Sequence, residues 1–146
     1  MNTLLRNSAL RTRSIDVLIV DDDGGASATL QCVLEENGCI ARIARGSEDA
    51  IAEIRRRRPE VVVIDLTLSD IVNGAALADA IAAESPERGA IAVVAITTAA
   101  DRSRALTRAF DACLAEPVAL EVITDVVRRL GADMRAARTA AREAAG

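Results

Sequence analysis

Two apolar runs that end in acid constrain this chain more than any other feature: Ile15 to Val20 runs into Asp21, Asp22 and Asp23, and Val61 to Ile64 runs into Asp65. Runs this short read as strands buried on both faces, as in the middle of a parallel sheet. Two such strands in one sheet bring their C-terminal acids to a common edge, which is where open α/β sheets place their ligand sites. Carboxylates gathered there repel one another and are costly to desolvate. They point to a hard cation, a shifted pKa, or both.

The rest of the chain supplies the connections such a sheet needs. Leu30, Val33 and Leu34 recur at helical spacing after Gly24-Gly25, and Asn37-Gly38 is a helix stop. Cys39 to Ala44 reads as a second strand. Ser47 is placed to cap the next helix, whose apolar stripe includes Ile51 and Ile54 and which closes on Arg55 to Arg58 before Pro59. Those arginines suit the negative end of a helix, or a docking patch for an acidic partner. After Asp65 a polar loop runs from Leu66 to Asn73, Gly74 breaks it, and a helix through Leu77 and Ile81 ends near Ser85-Pro86. Ile91 to Ile96 is a fourth strand ending in Thr97-Thr98, Asp101 caps a short helix through Ala109, and Ala112 to Ala115 is a weak fifth strand before Glu116-Pro117. The last helix carries the seam Leu120, Ile123, Val127, Leu130 and Met134. Beyond Gly131 it turns to Ala and Arg, which favour helix but offer little to bury, so that segment either pairs with another chain or is a solvated tail. The alternation predicts an α/β fold: a parallel sheet with helices on both faces.

Composition removes whole chemistries. At 146 residues the chain is one ordinary domain. All 18 basic residues are Arg, and no His is present. Schiff-base lysines, a Walker-type lysine, Ser-His pairs and His metal ligands are therefore unavailable. A net charge of -4 and a single aromatic residue, Phe110, argue against nucleic acid as a partner. No run approaches the roughly 18 apolar residues of a membrane span, so no membrane partner is expected. Cys32, Cys39 and Cys113 lack zinc or redox spacing and read as reduced core residues, which fits a cytoplasmic location. Residues 1–14 read as a flexible N-terminal arm, 15–130 as the domain and 131–146 as a C-terminal helical extension.

The chain resembles the receiver domain of bacterial two-component response regulators from about Ile15 to Leu130. The likeness rests on Val-Asp-Asp-Asp at 20–23, Ile-Asp-Leu-Thr-Leu at 64–68 followed by Gly74, Ile-Thr-Thr-Ala at 96–99 and Glu-Pro at 116–117. It implies a flavodoxin-like, doubly wound, five-stranded parallel sheet of order 2-1-3-4-5. By the same resemblance, Asp65 accepts a phosphoryl group. Asp21, Asp22, Asp65 and the Thr67 carbonyl hold Mg²⁺, and Thr97 contacts the phosphoryl group. Asp23 is a bystander. The implied partners are a histidine kinase or phosphotransfer protein and a downstream protein target, with a homodimer through the last helix, or through the face formed by the fourth helix, fifth strand and last helix, as a further expectation.

Departures from the family pattern are equally specific. Where receivers carry a Lys before the Pro that follows the fifth strand, this chain has Glu116, and the switch aromatic three positions earlier is Cys113. Opposite unit charges about 4 Å apart attract by roughly 4 kcal/mol at an effective dielectric near 20, and a Glu reverses that sign. Ser69 replaces a usual Pro, and the segment between Thr97 and Glu116 is short, which predicts a truncated fourth helix. The expected function is a stand-alone receiver acting through protein contacts. One alternative is a pseudo-receiver that binds partners without phosphorylation. A second is a haloacid-dehalogenase-like phosphatase, because Asp21-x-Asp23-Gly24 resembles that family's nucleophile motif, with Thr97 as its second motif.

Overall fold

The computed structural model describes residues 14–21, 24–66, 71–84, 90–98, 100 and 110–145. The elements are β1 (Ile15–Val20), α1 (Gly24–Glu36), β2 (Cys39–Ala44), α2 (Ser47–Arg56), β3 (Val61–Asp65), α3 (Ile71–Ala83), β4 (Ala92–Thr98), β5 (Ala112–Glu116) and α4 (Leu120–Ala145). All strand pairs are parallel, in the order β2-β1-β3-β4-β5. Residues 1–13 of the expected arm, Asp22, Asp23, the Thr67 carbonyl, Ser69 and the helix from Asp101 to Ala109 lie outside the described residues, whereas Ser14 is buried.

Alternation along the strands divides the core into two layers. Val17, Ile19, Val61, Val63, Val94 and Ile96 face α1 and α4, meeting Leu30, Leu34, Ile123 and Val127. Leu18, Val20, Val62, Ile64, Val93 and Ala95 face α2 and α3, meeting Ile54, Leu77 and Ile81. Aliphatic side chains buried to this degree each stabilise the fold by about 2 kcal/mol. The core is filled almost without aromatics. Cys39 and Cys113 are buried as expected, whereas Cys32 is exposed because it sits on the outer face of α1.

Several local expectations change. Gly74 does not break a loop: α3 begins at Ile71 and includes it. A Cβ at Gly74 would stand 2.0 Å from Leu66 Cδ2, so the glycine makes room for the side chain that follows Asp65. Ser47 lies inside α2, whose N-cap is Gly46 without a side-chain cap. The Asp49 carboxylate instead accepts from the Arg45 amide at 3.1 Å, across that helix start.

The strand treated as wholly apolar contains Asp16, which is buried at the N-terminal rim of the sheet. Its carboxylate meets Arg42 at 3.1 Å and Arg57 at 2.6 Å. All of Arg55 to Arg58 is engaged within the domain: Arg55 with Glu84, Arg56 with Glu53, Arg57 with Asp16, and Arg58 with the Glu84 carbonyl. On the same rim Glu60, also buried, accepts from the Asp16 amide and pairs with Arg135 at 2.6 Å. Arg135 further donates to the Ser14 carbonyl, and Arg138 donates to the carbonyls of Pro59 and Ala90. The segment beyond Gly131 is thus docked at least to Arg138, with Leu130 and Met134 packed against the core. No helix among the described residues is long and apolar enough to cross a membrane.

Candidate functional site

The acid rim is fixed by backbone bonds. Val20 pairs with Ile64, so Asp21 follows β1 beside Asp65 at the end of β3, in neighbouring strands about 4.8 Å apart. The Asp21 amide donates to the Ala44 carbonyl of β2, and the Leu66 amide donates to the Ile96 carbonyl of β4. Each acid is therefore clamped from the strand on its outer side. Asp21 is buried and Asp65 half-buried.

Below this rim a cavity of about 600 Å³ opens between the sheet, α1 and α4. Ile19, Val63, Ile96, Leu30 and Ile123 wall it, and Asp21, Asp65, Thr98, Glu116 and Ser27 contribute its polar groups. Among the described residues no Arg lines it.

The two threonines separate. Ile96 and Thr98 share the face of Asp65, while Thr97 follows Val93 and Ala95 onto the α2/α3 side. Thr97 is 0% exposed, is absent from the cavity lining, and its hydroxyl has no hydrogen-bond partner among the described residues. Thr98 is the strand-end hydroxyl in the cavity with Asp65. Period-two alternation carries that information, because Asp65 pairs with Ile96 and the next residue on the same face is Thr98.

Glu116 does not turn away from the acids. It pairs in register with Thr98, and its peptide bond to Pro117 is cis. Its carboxyl pKa is raised, first by partial burial and then by the charges of Asp65 and Asp21. Cys113 lies on the opposite face of β5, in the layer against α2 and α3. The cavity donors are oxygens, the set that suits a hard cation. Among the described residues no three acids converge at metal-ligand distance. Mg²⁺ keeps several waters and needs only one or two carboxylates, so Asp21 and Asp65 fit it.

Residues 17–128 match the family model of the response regulator receiver domain. The chain is 41% identical over 73 residues to the nitrogen assimilation regulatory protein NtrX of Azorhizobium caulinodans, covering 49% of this chain and 16% of that protein. It is 31% identical over 121 residues to the probable transcriptional regulatory protein TcrX of Mycobacterium tuberculosis, covering 83% of this chain and 50% of that protein. The solved structure of NtrX from Brucella abortus in complex with ADP superposes with a TM-score of 0.75 at 25% identity, over 87% of this chain and 29% of that one. The chain spans half or less of the length of each of these relatives. Matched over most of its length, and built on a parallel 2-1-3-4-5 sheet, the chain belongs to the response regulator receiver domains of two-component signalling.

Proposed function

We propose that Asp65 is the phosphoacceptor of this domain, serving a histidine kinase or phosphotransfer protein and passing the signal on through protein contacts. The observation that carries this reading is the placement of Asp21 and Asp65 at adjacent strand ends over one cavity, with Thr98 on the same face. In the transfer, an Asp65 carboxylate oxygen attacks phosphorus, the P–N bond to the donor imidazole breaks, and an acyl phosphate forms. Asp21 and Asp65, with Asp22 and the Thr67 carbonyl from outside the described residues, would hold Mg²⁺, which when bound neutralises phosphoryl charge. Thr98 takes the phosphoryl-contacting role expected of Thr97. Receiver domains are signalling phosphoacceptors rather than enzymes in the ordinary sense.

A phosphorylation-independent interaction module is the second reading, favoured by Glu116, whose charge faces the acceptor where receivers carry a cation. Incubation with Mg²⁺ and an acyl phosphate donor separates the two. A gain of one phosphoryl mass, lost in Asp65→Asn, is the expected result; no gain in a folded protein favours the module. Self-association through α4 is a further proposal. It has little free surface to use, since Val122 is the exposed large hydrophobic among the described residues, and sedimentation of Val122→Arg tests it.

A further inference from the structure

We infer that Glu116 sets the divalent-cation affinity of the acid rim through space, exchanging affinity for a phosphoryl group for affinity for the cation. The inference rests on the receiver reading of Asp21 and Asp65. Glu116 lines the same cavity as those acids, reached through Thr98, its register partner on β4. Two strand spacings separate β5 from β3, about 10 Å between backbones. The three carboxylates do not converge at ligand distance, so Glu116 contributes as a neighbouring charge rather than as a ligand. Among the described residues no Arg lines the cavity to offset it.

The consequences run in opposite directions for the two guests. A dication gains attraction from the extra negative charge, and an incoming phosphoryl group meets repulsion from it. A charge acting through solvent and protein over several ångströms changes dication affinity by roughly tenfold per unit and weakens with added salt. The domain is thereby biased toward being cation-filled and unphosphorylated.

The test is calorimetric titration of the whole chain with MgCl₂ or MnCl₂ alone, at low and high salt, comparing wild type, Glu116→Gln and Glu116→Lys. Circular dichroism melts first establish that each variant is folded. Affinity is expected to fall by roughly tenfold in the first variant and roughly a hundredfold in the second, with both differences shrinking in high salt. In parallel, Glu116→Lys is expected to gain phosphoryl mass faster than wild type. Equal affinities across the three proteins overturn the inference. Equal losses in Gln and Lys variants also overturn it, because they would make Glu116 a direct ligand. If the cation order holds but no protein gains phosphoryl mass, the acceptor reading fails while the role of Glu116 stands. If wild type is phosphorylated but the cation order is absent, only this inference fails.

Discussion

Replacing Thr97 by Val should stabilise the domain, which is unusual for a core substitution. The Thr97 hydroxyl is fully buried and has no hydrogen-bond partner among the described residues, so folding strips it of water without replacement from them. An unsatisfied buried polar group costs about 1–3 kcal/mol, and a methyl of similar shape removes that cost. Taking the low end, Thr97→Val gains about 1 kcal/mol. With a urea m-value of about 2 kcal/mol/M, the midpoint rises by about 0.5 M. The melting temperature rises by about 3 °C for a domain of this size. The chain has no Trp and no Tyr, so far-UV circular dichroism is the natural readout. Thr98→Val is the paired control: that side chain reaches the cavity, and its loss should slow phosphorylation without raising stability. A loss of more than about 0.5 kcal/mol in Thr97→Val would refute the reasoning, because it would mean that the hydroxyl is satisfied.

Arg135→Ala leaves the buried Glu60 carboxylate without its guanidinium and should cost about 2 kcal/mol, below the usual loss for a buried pair because Arg135 is partly exposed. Amide exchange in the last turns of α4 should accelerate with it, and unchanged exchange would show that the ion pair does not hold the helix. Gly131→Ala places a Cβ 2.3 Å from Ile15 Cγ2. The forced shift should outweigh the roughly 1 kcal/mol of helix propensity gained, so urea denaturation should show a net loss. The Glu53 carboxyl is held below the usual range, first by its hydrogen bond with Arg56 and also by Arg42. A lowered folded-state pKa gives stability that is present above the ordinary Glu value and lost as pH falls through the folded value. Glu53→Gln should therefore be less stable than wild type near neutrality, with the gap closing in acid; a constant gap would assign the effect to packing.

The strands and their order were legible because apolar runs such as Val61 to Ile64 admit few other placements, and because their acid ends mark one edge. What escaped was set by atoms far apart in sequence. Asp16 lies within a run read simply as apolar, yet Arg42 and Arg57 converge on it from β2 and the end of α2. Gly74 looked like a breaker because propensity cannot show that Leu66 occupies the space a Cβ would need. The Thr97-Thr98 doublet defeated motif matching, since neighbouring strand residues face opposite ways and only the pairing of Asp65 with Ile96 decides which one meets the acids. For Glu116 the residue type was visible, but its facing the acids required the strand register.

The helix α4 starts just after Glu116 and Pro117 at the acid rim, and by Arg135 and Arg138 it has reached Glu60, Pro59 and Ala90 at the far rim. The eighteen steps from Leu120 to Arg138 span about 27 Å at 1.5 Å each. Packed on the core through Leu120 and Ile123 at its start and held by Arg135 and Arg138 further on, the helix is one continuous strut between the two rims. A change of charge at one rim then has a mechanical route to the opposite one. That route needs no ring swinging within β5, where Cys113 could supply none.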